Sequence, residues 1–271
     1  MQCFKHEIRV GEYSVPLTCY LPDAAPRTYF PNNRPAMIVL PGGGYEMTYP
    51  GEGEPIALSY VAQGFCGFVL DYSVYPARFP QALVEALMAI RFVREHAEEY
   101  GIDPAKIAIC GFSAGGHLAA CTGTLWNNAC LSEYLGSDRA LYRPDAMVLA
   151  YPVINLASHK GSFLNLFSKR EEELTSEILN LLNLENQVSK ETPPTFLWHT
   201  TADSTVPAKA SLEFALALAQ NKIPYEIRIW SGDRHGTGLG NHVTEPKTAP
   251  LAPHACATWV NDSVDFLFKN L

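Results

Sequence analysis

The sequence predicts an α/β fold: a mostly parallel central sheet with helices on both faces. Three observations predict it. Short apolar runs alternate with longer amphipathic ones along 271 residues that are 47% hydrophobic. The runs are apolar at successive positions, as strands buried on both faces require. Glycine-rich turns follow several of them at the strand end where such sheets bind ligands. A chain of this length can bury one large core, and a single domain over 1–271 is expected.

The first residues, "HEIRV" and "SVPLTCYLP", read as an antiparallel edge pair. "AMIVL" (36–40) follows and stops at Pro41 and a triple glycine. "CGFVLDY" (66–72) is the next short run, then "KIAIC" (106–110), "AMVLAYPV" (146–153), "TFLWHT" (195–200) and "YEIRIW" (225–230). Helices are expected between them. After Pro80, residues Leu83, Leu87, Ile90, Val93 and Ala97 recur at helical spacing, with Gly101 as the stop. Leu212, Ala215, Leu216 and Ala219 repeat the pattern after Pro207, and Val260, Val264 and Leu267 do so near the end. Residues 154–192 hold no strand signal; a connection of that length inside a compact domain suggests a lid-like insertion.

A net charge of −8 with no basic run argues against nucleic acid and anionic membranes as partners. No apolar run approaches the roughly 18 residues that span a bilayer. The N-terminal residues lack the apolar stretch of a signal peptide, and seven scattered cysteines form no C-x-x-C pair. A cytoplasmic protein with reduced thiols is expected.

One segment carries chemistry. In "KIAICGFSAGGHLAA" (106–120) a strand runs into Gly111-Phe112-Ser113-Ala114-Gly115, and a helix is expected to begin near Gly116. G-x-S-x-G between strand and helix is a nucleophile elbow. The turn strains the serine backbone and lifts its hydroxyl out of the sheet, so bulk at 111 and 115 would collide with adjacent backbone. A serine hydroxyl is a weak nucleophile. It needs a base to take its proton and a third group to hold that base. Asp203 follows one strand in "HTTADSTVP" and His235 follows the next in "SGDRHG". Both therefore reach the sheet end that carries Ser113, in the chain order serine, acid, histidine. Asp233 stands too near His235 in sequence to orient it. His6, His96, His117 and His199 lie in elements, whereas His242 and His254 share a loop and compete with His235.

"LPGGGY" (40–45) supplies the remaining part. Acyl transfer builds negative charge on an oxygen, and consecutive glycines let backbone N–H groups approach it. Gly43 and Gly44, with the N–H of Ala114, are the expected donors. A phosphate loop would need Lys-Ser/Thr after the glycines, and Tyr45-Glu46 follows instead; Met47 breaks the dinucleotide pattern. The glycines of 236–240 read as a flexible loop.

These motifs carry a resemblance that runs nearly end to end. "LPGGGY", "GEGEPIAL", "FPQALVEALMAIRFVREHAEEYGIDPAKIAICGFSAGGHLAA" and "TPPTFLWHTTADSTVP" resemble the esterase/lipase branch of the α/β-hydrolases, and within it bacterial carbohydrate acetylesterases. The branch commonly has His-Gly-Gly-Gly, and Pro41 stands here in place of the histidine. Relatives often carry a second acidic residue after the aspartate, and Ser204 stands there. The resemblance implies an α/β-hydrolase fold and a small acyl ester as partner, an acetylated oligosaccharide among the candidates. No cofactor and no metal are expected. A lipase or peptidase of the same fold, and a non-catalytic binding protein, are the alternatives.

Overall fold

The computed structural model describes residues 1–24, 33–245 and 254–271. Its centre is one eight-stranded sheet. The strands are β1 (Gln2–Val10), β2 (Tyr13–Leu21), β3 (Arg34–Leu40), β4 (Cys66–Leu70), β5 (Ile102–Phe112), β6 (Ala146–Ala150), β7 (Thr195–Thr200) and β8 (Tyr225–Trp230). Their spatial order is β1-β2-β4-β3-β5-β6-β7-β8. β1 and β2 pair antiparallel, as does β2 with β4; every later pairing is parallel.

Period-two alternation sorts each central strand onto two cores. Ile38, Leu40, Ile107, Ile109 and Leu197 face one cluster, which α2 (Gln81–Glu95), α4 (Ala114–Leu125) and α7 (Lys209–Gln220) cover. Met37, Val39, Ala108, Cys110, Phe196 and Trp198 face the other, under α1 (Glu54–Ala62) and α8 (Trp259–Asn270). The central stretches of the inner strands are therefore buried on both faces. β8 is the edge, and half of its residues are exposed.

The expected elements are present, with differences at their ends. The predicted helix to Gly101 breaks at His96 into α2 and a short α3 (Ala97–Tyr100), and Gly101 caps it at φ 66°. β5 starts earlier than the apolar run, at Ile102. Residues 154–192 hold α5 (Lys160–Leu166) and α6 (Ser176–Leu182), joined by single turns. Phe163, Leu166 and Leu182 of this segment are buried in the larger core. Among the described residues no helix is long and apolar enough to cross a membrane.

From β3 the chain crosses to β4 on one side, while β5 lies on the other. The order reverses there, and the crevice beyond the carboxyl ends of β3 and β5 is where open α/β sheets bind ligands. The triple glycine follows β3, and Ser113 follows β5.

Candidate active site

Ser113 is the turn between β5 and α4. Its backbone stands at φ 52° and ψ −116°, a strained conformation for a residue with a side chain. Three hydrogen bonds hold it there: its N–H donates to Ala150, and its carbonyl accepts from His117 and Val153. The helix starts directly at Ala114, two residues before the expected Gly116. Gly115 shows why the turn admits no bulk. A Cβ on it would stand 2.2 Å from the carbonyl oxygen of Leu40.

The three side chains picked out by strand-end logic converge. His235 Nε2 lies 2.8 Å from Ser113 Oγ, and His235 Nδ1 lies 2.6 Å from Asp203 Oδ2. Asp203 is buried, and its Oδ1 accepts from the N–H groups of Thr205 and Val206. His199 Nε2 stands 3.3 Å from Oδ2 while bonding the carbonyl of Val206. Burial alone would raise the Asp203 carboxyl. Hydrogen bonds from His199 and His235, and the charge of His235, outweigh it and hold the group well below the usual carboxylate range. An ionised carboxylate beside Nδ1 keeps the proton on that nitrogen and leaves Nε2 free to accept from the serine.

The competing histidines are elsewhere. His254 pairs with Asp233 and with Glu245, and Arg234 Nη2 meets Glu245 Oε2 at 2.8 Å. These contacts flank His235 on the loop after β8. Asp233 thus serves His254, not His235. His117 does more than pack within its helix. Its Nδ1 meets the Tyr45 hydroxyl at 2.9 Å and its Nε2 the Leu182 carbonyl at 3.1 Å, so it ties the glycine loop to α4 and α6. Burial depresses this imidazole to about 4, which keeps it neutral.

Gly43 and Gly44 line a cleft of about 260 Å³ together with Met47, Tyr49, Glu52, Ser113, His159 and His235. Gly43 sits at φ 132°, and a Cβ there would come within 2.1 Å of the Met47 carbonyl oxygen. Among the described residues nothing accepts from the N–H groups of Gly43, Gly44 or Ala114. That leaves three backbone donors at the mouth of a helix whose N-terminus favours negative charge.

Glu52 and Tyr151 belong to the site and gave no signal in the sequence. Glu52 is 3% exposed. Its Oε2 accepts from the Gly42 N–H at 2.8 Å and its Oε1 from the Tyr151 hydroxyl at 2.5 Å. Tyr151 OH also accepts from the Gly238 N–H, and its ring stands edge-on to His235 at 4.9 Å. One carboxyl thus joins the glycine loop to the loop after His235. Burial pushes it upward, against the pull of those two hydrogen bonds. "GEGEP" stood out only as part of the resemblance, because nothing local marks which glutamate turns inward. His159 was likewise missed, since it follows no strand end.

Known proteins resemble this chain in sequence and in fold. The family model described as BD-FAE matches residues 19–218. The chain is 36% identical over 219 residues to endo-1,4-beta-xylanase B of Butyrivibrio fibrisolvens, a match that takes in 77% of this chain and 33% of that protein. It is 29% identical over 230 residues to an acetylxylan esterase of Xylanibacter ruminicola, over 83% of this chain and 44% of the relative. The chain therefore spans less than half of either relative. An acetyl ester-xyloside bifunctional hydrolase from Caldicellulosiruptor lactoaceticus superposes with a TM-score of 0.80 at 36% identity, over 96% of this chain and 89% of that one. A carboxylesterase from Lactobacillus plantarum gives 0.85 at 25% identity, over 99% and 98%. With the elbow, the sheet order and these matches together, the chain belongs to the BD-FAE family of α/β-hydrolase esterases.

Proposed function

We propose that this protein is a serine esterase that removes short acyl groups, acetyl above all, from carbohydrate alcohols. Ser113 Oγ attacks the ester carbonyl carbon as His235 Nε2 takes its proton. Asp203 holds the imidazole and stabilises the imidazolium. The carbonyl oxygen becomes an oxyanion and receives hydrogen bonds from the N–H groups of Gly43, Gly44 and Ala114. When the tetrahedral intermediate collapses, the C–O bond to the alcohol breaks and His235 returns the proton to it. Water then attacks the acyl-serine by the same route, and the acid leaves. Residues 154–192 form the lid of this cleft and bring His159 to it.

The observation that carries the reading is the unbroken chain of contacts from Ser113 Oγ through both ring nitrogens of His235 to a buried carboxylate. A cleft of about 260 Å³ suits a small acyl group. The sugar alcohol is supported by relatives named a xylanase, an acetylxylan esterase and an acetyl ester-xyloside hydrolase.

The test pairs a fluorophosphonate probe with substrate kinetics. The folded protein should take up one probe at Ser113, and Ser113→Ala should lose about 10⁴-fold or more in acetate release while keeping its fold. Unlabelled folded protein would mean a binding module. Rates that rise with acyl chain length on p-nitrophenyl esters would favour a lipase.

A further inference from the structure

We propose that His159 selects the alcohol half of the substrate, donating a hydrogen bond from Nε2 to an oxygen of a polyhydroxylated leaving group. The inference rests on the esterase reading above and names a residue that reading does not use.

Three observations carry it. First, His159 lines the same cleft as Ser113 and His235 while standing half-buried. Second, its tautomer is determined by its neighbours. His159 caps α5, and Nδ1 accepts the backbone N–H of Ser162 at 3.1 Å, with the Ser162 hydroxyl 2.9 Å away. A nitrogen that accepts from an amide carries no proton, so in the neutral ring the proton sits on Nε2. Third, among the described residues nothing pairs with that Nε2. The result is a fixed N–H donor in the cleft with its hydrogen-bonding capacity unspent.

Burial, and after it the nearby charge of His235, push this imidazole downward against the opposing charge of Asp203. With its proton on Nε2 the ring offers the cleft a donor and not a second base. His159 lines the cleft together with Ser113, Thr205 and His235. An acetyl group offers a single acceptor, its carbonyl oxygen, and the backbone N–H groups of the glycine loop and Ala114 take that one. A further donor in the cleft therefore meets the alcohol and not the acyl group. Sugars present hydroxyl and ring oxygens beside the ester; a plain hydrocarbon ring presents none.

The experiment compares a monoacetylated xylose with cyclohexyl acetate, two six-membered-ring alcohols that differ in their acceptor oxygens. The readout is the ratio of their kcat/KM values, which is independent of how much enzyme is active. His159→Asn keeps a side chain able to cap α5 but is too short to present the outer N–H. The ratio should fall about tenfold, through KM for the xylose ester, as the loss of one hydrogen bond to a neutral group predicts. His159→Asp, which also caps, should lower it likewise. An unchanged ratio in both variants overturns the proposal. So does a wild-type enzyme that labels with fluorophosphonate and cleaves cyclohexyl acetate but not the xylose ester; the esterase reading survives that result. A protein that neither labels nor cleaves either ester defeats the esterase reading itself.

Discussion

The serine side and the histidine side of this site are built by different physics. Ser113 ends a strand at the middle of the sheet, where every residue of β5 from Ile107 to Phe112 is buried. Its turn is held by contact: Gly111, Gly115 and Gly116 meet backbone or side chains at distances that admit no Cβ. His235 follows β8, the exposed edge strand, on a loop rich in glycine. Polar contacts hold it there. Asp203 takes one ring nitrogen, Tyr151 bonds Gly238, and the Asp233–His254 and Arg234–Glu245 pairs brace the flanks. A nucleophile must stand in one strained place, and close packing supplies that. A base must accept a proton and give it back, and a loop held by hydrogen bonds leaves room for the ring to adjust.

The largest effect should come from the polar side. Asp203→Asn removes the charge that holds the proton on Nδ1 and stabilises the imidazolium. We expect kcat to fall about 10⁴-fold with the fold retained. The same variant reports on stability. The native carboxyl lies below its unfolded value, so it stabilises the fold above the ordinary carboxylate range and that contribution is lost as pH falls. Urea midpoints of wild type and Asp203→Asn should differ by a constant amount from pH 7 to about 5 and converge below about 4. Midpoints that stay equally far apart at acid pH would falsify the assignment of an ionised, strongly bonded Asp203.

On the packed side, Gly115→Val should abolish folding. The new Cβ would have to displace the carbonyls of Leu40 and Pro41, both in the central sheet and its loop. Overpacking of this kind costs about 3 kcal/mol or more, a large fraction of a domain's stability. Circular dichroism and expression in the soluble fraction check it. A folded, merely slower enzyme would show that the elbow is less rigid than its packing implies.

The same contrast explains what the sequence made legible. Strain at Ser113 can be met only by small neighbours in consecutive positions, so the elbow leaves a local signature. Gly43 and Gly44 are visible for the same reason, and strand-end logic reaches Asp203 and His235. Glu52, Tyr151 and His159 act through partners far away in the chain or through a cap that any polar residue could make. Glu52 bonds the N–H of Gly42 and the hydroxyl of Tyr151, ninety-nine positions on. No periodicity records such a contact. The break at His96 was hidden for a related reason: the apolar spacing continues through it, and the chain there passes from a long helix to a single short turn of helix without losing its buried face.

Glu52 lies between the two sides and should give an intermediate effect. Glu52→Gln keeps the volume but leaves one acceptor oxygen where the carboxyl has two. Either Gly42 or Tyr151 then loses its acceptor, and the glycine loop and the loop after His235 lose their common anchor. A displacement of about 1 Å at reacting groups can cost a hundredfold, so kcat should fall roughly tenfold to a hundredfold, with KM for an aryl acetate little changed. A change confined to KM would show that Glu52 shapes the binding of substrate and positions neither loop.

The smallest effect should come from the outermost brace. Arg234 is half-exposed, and such an ion pair contributes on the order of 1 kcal/mol or less. Its partner Glu245 is buried, which would normally make the loss of the arginine expensive. Here His254 Nε2 stays 2.8 Å from Glu245 Oε1, although that oxygen makes no hydrogen bond, and Asp203 and Tyr151 hold the loop independently of the arginine. The brace is one of several tethers. Arg234→Ala should therefore lower kcat only a few-fold and the melting temperature by a few degrees. Raising the salt from 0.05 to about 0.5 M should shrink the difference from wild type, because screening weakens the exposed pair in the parent and not in the variant. An Arg234→Ala enzyme as dead as Asp203→Asn, with no response to salt, would mean that His235 hangs from one arginine and not from a shared network. The division between a packed nucleophile and a multiply tethered base would then fail on its polar side.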